Sequence, residues 1–314
     1  MTTPTGVFAR SCSGVHDLNT IYGMTASLPN VALHLTDLPW RLASPAAQDS
    51  AWVRLWEARD GTLLAWAILQ FPWHCLDYEV RPGPHREWLE QAVLDWAVER
   101  LTGEAASRGE ELPFYVSARS SDMVRLAAVH RAGFRPDDWS YLHLSRDLRE
   151  PVPRTALPDG FQIRPLAGEA EVAAYVATHR AAFGSTNMTA DWRRRTIRDP
   201  RYVPELDLVA VGSDGTVAAF CVGWMTPPTA SLADKRVAQI EPLGVLPAYQ
   251  RIGLGRALLL EAFHRALTIG ASRIEVDAES YNEASLGLYE SAGFRMSFEA
   301  PFALRVFGQA AICL

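Results

Sequence analysis

The chain has 314 residues, 48% of them hydrophobic and 21% charged, which is the make-up of globular protein and enough length for two domains. A formal net charge of −6 excludes the basic surface that a nucleic-acid backbone would need. No run of about 18 apolar residues is present, so no membrane-spanning helix is expected.

The N-terminus, MTTPTGVFARSCSGVHD, has no apolar stretch of signal-peptide length. Residues 1–30 read as an N-terminal extension, and the Ser/Thr/Gly content of about the first twenty predicts disorder. Cys12, Cys75, Cys221 and Cys313 are far apart and form no Cys-x-x-Cys pair. They read as free thiols of a cytoplasmic protein, and no metal site is expected. His74 and Cys75 are adjacent, and neighbours on a strand point to opposite faces.

Residues 31–148 and 160–314 read as two domains, joined by a linker at 149–159 that lies in a proline-rich, apolar-poor stretch. The two halves repeat one pattern. EARDGTLLAWAILQF and VGSDGTVAAFCVGWM each predict strand, Asp-Gly turn, strand. A strand ending Val80-x-Pro82 precedes a helix with Trp88, Leu89, Ala92, Val93, Trp96 and Ala97 on one face. A strand ending Val245-x-Pro247 precedes one with Leu258, Leu259, Ala262, Phe263, Ala266 and Leu267. LPFYVSA and SRIEVDA predict a further strand in each half, followed by a helix and then Ala132-Gly133-Phe134 or Ala292-Gly293-Phe294. The first half holds eight of the ten tryptophans, which read mainly as packing. In the second half FQIRPL predicts a strand and Val172, Val176 and Phe183 mark a helix. Thr189 is the expected N-cap of a helix through DWRRRTIRD, and the chain is expected to close in a terminal hairpin.

One segment breaks the repeat. PAYQRIGLGRALLLEAF places Gly253 and Gly255 where an apolar helix starts, and the first half has no counterpart. Glycine costs about 1 kcal/mol against alanine inside a helix. A helix N-terminus exposes unpaired N–H groups and binds anions, and small residues let a phosphate reach the backbone. A Walker loop needs Gly-Lys-Ser/Thr, and the sequence has Gly-Arg-Ala. A dinucleotide fingerprint needs a third glycine and an early place in its unit. A Gln-x-x-Gly-x-Gly cradle fits, and a helix start with loosely placed glycines is the alternative.

IEPLGVLPAYQRIGLGRALLLEAF followed by NEASLGLYESAGF resembles the GNAT superfamily of N-acetyltransferases. The resemblance rests on residues 239–296, and the element order from 160 to 310 agrees with it. It implies an α/β (α+β mixed sheet) class, two tandem acyl-CoA N-acyltransferase (GNAT) folds, and acetyl-CoA as the acyl donor. It implies that Gln250, Arg251, Ile252, Gly253, Leu254, Gly255 and Arg256 hold the pyrophosphate. Leu243 and Val245 would border the pantetheine arm, and Asn282 and Ser285 would touch the cofactor. Tyr289 falls where the family keeps an acid for the departing thiolate.

The attacking amine must lose a proton, and Glu241, on the strand toward Val245, is the candidate base. Residues 241, 243 and 245 share a face if that strand is regular, but Pro242 and Gly244 predict a bulge. A surface carboxylate is the alternative for Glu241, and a packing aromatic for Tyr289. Asn187, Met188, Trp192 and Trp224 are candidate acceptor contacts, and the acceptor is a small-molecule or peptide amine. Arg193, Arg194, Arg195 and Arg198 read as a solvated helix face, with an anion grip on the acceptor as the alternative. The first half, with Val129 in the place of Tyr289, reads as a degenerate, non-catalytic copy. Mycothiol synthase-type acetylation of a cysteinyl sugar and a non-catalytic acyl-CoA sensor are the rival functions.

Overall fold

The computed structural model describes residues 4–28, 34–154, 157–226 and 236–308. In chain order the elements are β1 Val7–Ser11, α1 Val15–Ala26, α2 Leu38–Leu42, β2 Val53–Ala58, β3 Leu63–Gln70, β4 Cys75–Val80, α3 Arg86–Arg108, β5 Leu112–Ser117, α4 Met123–Arg131 and β6 Arg135–Asp147. There follow β7 Phe161–Pro165, α5 Val172–Phe183, α6 Ala190–Arg198, β8 Asp207–Gly212, β9 Val217–Met225, β10 Val237–Val245, α7 Leu254–Thr268, β11 Arg273–Glu279, α8 Glu283–Ser291 and β12 Arg295–Phe307.

The chain forms two compact units. The first takes Met1–Leu35, Ser44–Tyr141 and Glu299–Leu314; the second takes Thr36–Ala43 and Leu142–Phe298. The units therefore interleave along the sequence instead of following one cut at the linker. Cys313 lies outside the described residues.

In the first unit the strand order is β1-β2-β3-β4-β5-β12. The expected disorder of the N-terminus is corrected here. β1 pairs antiparallel with β2, and α1 buries Leu18, Ile21 and Met24. Arg10 clamps the segment, donating to Asp17 (2.6 Å) and Glu57 (2.6 Å). A local count of Ser and Gly misses this, because the order comes from a strand partner some fifty residues away. β3 and β4 pair antiparallel, whereas β4 meets β5 in parallel only at Cys75↔Tyr115. Leu89, Val93, Ala97 and Leu101 of α3 enter the core with Phe114, Val116 and Phe134.

In the second unit the order is β6-β11-β10-β9-β8-β7. β7 to β10 pair antiparallel, and β10 pairs parallel with β11. α7 buries Leu258, Leu259, Ala262 and Phe263 against Ile240, Ile274 and Val276. The expected terminal hairpin is also corrected: residues 295–307 form one strand, running straight through Pro301. Its last six residues, Phe302–Phe307, pair with β5 in the first unit.

The Asp-Gly turns form as expected. Asp60 accepts from the Thr62 amide (3.0 Å) and Asp214 from the Thr216 amide (2.9 Å). Thr189 caps α6, accepting from the Trp192 amide at 3.1 Å.

Candidate active site

The glycine segment opens α7. Gly253 is the N-cap at φ 98°, in the left-handed region that side chains disfavour, and Arg251 before it is also at positive φ (64°). No side chain caps this helix, and its first turn holds no acidic residue. The leading N–H groups therefore keep their positive end for an anion. A Cβ built on Gly255 would lie 3.4 Å from Val245, 3.6 Å from Leu288 and 3.8 Å from Leu243, so it would fill the space between α7, β10 and α8. Both glycines fit a phosphate laid against bare backbone. Ile252 is half exposed beside them and Leu254 is buried. Gln250 donates to the Val245 carbonyl (3.2 Å), and Arg256 reaches Ser291 on α8 (2.6 Å).

β10 makes the next feature. Its ladder to β11 covers only Val237–Ile240, while its ladder to β9 continues to Val245. From Glu241 onward the β11 side of β10 is released, which leaves an edge that an extended ligand can line. The bulge expected near Pro242 is present: Ile240 faces Gly223 and Leu243 faces Cys221, three residues of β10 spanning two of β9. The extra residue changes the facing. Leu243 and Val245 join the apolar side already used by Ala238 and Ile240. Gly244 turns the other way, where a Cβ would collide with Phe220 and approach Ala182 of α5. The shared face for 241, 243 and 245 that a regular strand would give is lost at this bulge.

Glu241 sits at the bulge, and its carbonyl accepts from the Trp224 indole at 2.7 Å. Burial pushes its carboxyl well above the usual range, Asp37, Asp277 and Glu279 push the same way, and Arg41 opposes them. Tyr289 is buried on α8, edge-on to Phe294 (5.6 Å). Among the described residues its hydroxyl has no hydrogen-bond partner. Burial first, and then the charge of Glu241, raise its pKa, so it keeps its proton. Asn282 caps α8, accepting from the Ser285 amide at 3.1 Å, and donates to Glu279 at 3.4 Å. Both residues therefore already hold the helix start in place.

The acceptor candidates are placed differently from one another. Asn187 is exposed between α5 and α6, while Met188, Trp192 and Trp224 are buried. Trp192 stacks on Trp40 (5.2 Å between centroids) and donates to its carbonyl (3.2 Å). The solvated arginine face is corrected at Arg193, which is fully buried, pairs with Asp207 and lies 3.7 Å over the Tyr175 ring. Arg194 meets Asp191, Arg195 donates to the Ala43 carbonyl (2.9 Å), and Arg198 meets Glu169.

Two groups escaped the sequence reading. On β11 Glu275, Asp277 and Glu279 alternate with Ile274, Val276 and Ala278, and that period of two is a legible signal for one polar face. His143 of β6 bridges it, at 2.7 Å from Asp277 and 3.3 Å from Glu275, and stacks on Phe298. Burial lowers the His143 pKa, but the two carboxylates outweigh it and hold the imidazole raised to about 10. The second group, Asp37 and Arg41 on α2, carries no local signal, because it comes from a distant stretch of sequence.

In the first unit the corresponding place is filled. Counted back from the Ala-Gly-Phe repeats, Arg125 stands where Ser285 does. Its guanidinium lies 3.0 Å from Glu79 and 3.3 Å from Glu90, all three fully buried. Tyr78 donates to Glu90 (2.8 Å). The cavity left between β4, Ser117 and Arg125 is about 10 Å³, room for roughly one water. Val129, in the place of Tyr289, packs in the core.

Residues 172–294 match the Acetyltransferase (GNAT) family, and this stretch of the second unit is a GNAT acetyltransferase domain. Among curated relatives, the mycothiol acetyltransferase of Geodermatophilus obscurus is 26% identical over 76% of this chain and 77% of its own. That of Nocardiopsis dassonvillei is 30% identical over 71% and 65%. That of Kineococcus radiotolerans is 34% identical, but the match spans 44% of this chain and 45% of the relative. Among solved structures, a GCN5-related N-acetyltransferase from Sphaerobacter thermophilus covers 100% of the chain at TM-score 0.66 and 22% identity. A tandem GNAT protein from the clavulanic acid biosynthesis pathway covers 97% at 0.65 and 14%. These likenesses show a tandem GNAT fold of mixed α/β class over the whole chain. No described helix is long and apolar enough to cross a membrane.

Proposed function

We propose that the second unit transfers an acetyl group from acetyl-CoA to a primary amine by direct attack, with Glu241 as base and Tyr289 as acid. The observation that carries this is the sequence of features along one path: the uncapped start of α7 at Gly253, the released β10 edge from Glu241 to Val245, and the buried residue Tyr289 on α8. Acetyl-CoA would supply the activated acyl group. The N–H groups at the head of α7 would hold its pyrophosphate, with Arg251 adding charge. The backbone of Leu243 and Val245 would line its arm.

The chemistry of this chain's own residues follows. An amine of pKa near 10.4 is mostly protonated at neutral pH. A carboxylate of raised pKa is a better-matched acceptor for that proton than an ordinary glutamate, because general bases work best near the operating pH. Tyr289, kept protonated by its surroundings, holds the proton that a departing sulfur needs. The charge of Glu241 favours the proton on Tyr289.

The names of the relatives favour one acceptor to try first. The mycothiol acetyltransferases suggest the amine of a cysteinyl sugar, within the wider class of small-molecule or peptide amines. The test is release of free thiol from acetyl-CoA across an amine panel that includes that acceptor. Turnover on at least one amine is expected, falling about 10²- to 10⁴-fold in Glu241→Gln and in Tyr289→Phe. Full activity in either variant would remove that residue from the mechanism. Tight acetyl-CoA binding without turnover on any amine would favour a sensor.

A further inference from the structure

β11 does not end where β10 leaves it. The parallel ladder between them stops at Ile240↔Val276, yet β11 runs on through Asp277, Ala278 and Glu279, with β6 as its other neighbour. Strands left side by side tend to go on pairing, since the unpaired N–H and C=O groups of an edge invite a partner. One reason for the separation lies in β10, where Pro242 has no N–H to offer and the bulge turns the strand aside. A second lies in the side chains of β11.

Asp277 is the first residue of β11 past the last pair, and His143 of β6 holds it. The imidazole Nδ1 lies 2.7 Å from one Asp277 oxygen, and its Nε2 lies 3.3 Å from Glu275, two residues back on the same face. Phe298 stacks on the ring at 4.4 Å between centroids. The two carboxylates keep the ring protonated, so it donates from both nitrogens. Charge-assisted bonds of this kind are about twice as strong as neutral ones. The other Asp277 oxygen accepts from Gln239 of β10 at 3.4 Å. Gln239 stands opposite Trp224 of β9, whose indole donates to the Glu241 carbonyl at 2.7 Å. One face of the sheet therefore carries a row of side chains from β6 to the bulge. The short bond of Asp277 is to β6 and the long one to β10, so β11 keeps to β6 where β10 turns away.

We propose that His143 is a positioning residue of the acetyltransferase site: by anchoring Asp277 to β6 it fixes where β11 parts from β10, and so keeps bare the β10 edge along which the arm of acetyl-CoA would lie. This rests on the reading of that edge as the seat of the donor. Residue 143 lies outside the family match at 172–294, so the anchor comes from a strand beyond the matched stretch.

The experiment compares two variants of the full-length protein that each keep one half of the histidine. His143→Asn places an amide N–H where Nδ1 was and still serves Asp277. His143→Gln reaches to where Nε2 was and serves Glu275. Both give up the charge, so both lose stability in denaturation. Hydrogen exchange of the unliganded proteins, read by mass spectrometry on peptides covering 277–279, is expected to quicken ~10-fold or more in His143→Gln and to stay within ~3-fold of wild type in His143→Asn. Acetyl-CoA affinity in calorimetry should show the same split, weakened ~10-fold in His143→Gln and largely rescued in His143→Asn. Asp277→Asn, which keeps an oxygen for His143, should move both readouts the way His143→Gln does but by less, and it carries the comparison if His143→Gln does not fold. A histidine that only stabilises the unit would affect the Asn and Gln variants alike, in step with their denaturation midpoints. That result, or exchange left unchanged in both His143→Gln and Asp277→Asn, overturns the proposal. The expected exchange pattern in a protein that binds no acetyl-CoA would instead overturn the reading of the edge as the seat of the donor.

Discussion

The same place in the two units holds opposite solutions. In the second, counting from Val245-x-Pro247 and from Gly293, the positions are Gly244, Ser285 and Tyr289: a missing side chain, a small one and a hydroxyl. In the first they are Glu79, Arg125 and Val129. The scaffold behind them is unchanged. Asp122 and Asn282 make the same cap, each accepting at 3.1 Å from the amide three residues on. Arg305 bonds the Ala132 carbonyl as Arg146 bonds the Ala292 carbonyl. The first unit has no glycine segment ahead of α3, and beside β4 it buries Glu79, Glu90 and Arg125 together.

The largest effect should come from separating what the chain interleaves. Residues 142–147 belong to the second unit and 299–307 to the first. Arg146 packs over Gly293 and donates to both Ala292 (2.6 Å) and Pro151 (2.8 Å). A fragment of residues 149–314 loses this strand and its arginine, and keeps a strand whose β5 partner is missing. It is expected to show no cooperative melting alone and to regain it when produced together with residues 1–148. Independent cooperative unfolding of that fragment would show that the exchanged strands are dispensable.

The next break is at the plug. Arg125→Ala removes the guanidinium shared by the buried carboxylates of Glu79 and Glu90, and should cost about 3 to 5 kcal/mol in chemical denaturation. Replacing all three by apolar residues of similar volume should recover most of that, since the intact set is near neutral against a packed core. In the second unit Ser285→Ala, at the matching position, should stay within about 0.5 kcal/mol. An Arg125→Ala cost no larger than that of Ser285→Ala would erase the proposed contrast.

Much of this contrast was legible from sequence. The paired hairpins, the two amphipathic helices and the glycine segment carry strong local periodicity, and the bulge at Pro242 follows from proline's missing donor. Three things were not legible. β1 and α1 are ordered by partners distant in sequence. α2 joins the second unit through aromatic stacking and hydrogen bonds that no local pattern announces. Arg193 sits in a stretch of charge that looks solvated, and only the tertiary position of Asp207 takes it inside. Each miss is a case of tertiary partners overriding a local rule.

A pH experiment sharpens the comparison further, because the second unit's polar face contains a titrating group. His143 has its pKa raised to about 10, so the folded state holds its proton more tightly than the unfolded chain does. Its contribution is complete below about pH 6.5 and falls as pH rises toward about 10, a loss of up to about 5 kcal/mol. Stability of the second unit should therefore decline across that window. His143→Gln should flatten the decline and lower stability at pH 6. A slope unchanged in His143→Gln would assign it elsewhere.

The smallest effect is a single methyl group with opposite signs in the two units. Gly103 lies inside α3, exposed, with nothing within 4 Å of a built Cβ and no positive φ. Alanine there should stabilise by up to about 1 kcal/mol, since glycine gives up more backbone freedom in a helix. Gly253 is equally open, with nothing within 4 Å, but it is held at φ 98°. Alanine there should cost about 1 to 2 kcal/mol, because the left-handed conformation brings Cβ against the carbonyl. Space is identical at the two sites, so the sign is decided by backbone conformation alone. Gly253→Ala should also weaken acetyl-CoA binding in calorimetry, since relief of the strain displaces the N–H groups at the head of α7. If both substitutions stabilise, the left-handed turn is incidental to the helix start and the cradle has lost its physical reason for glycine.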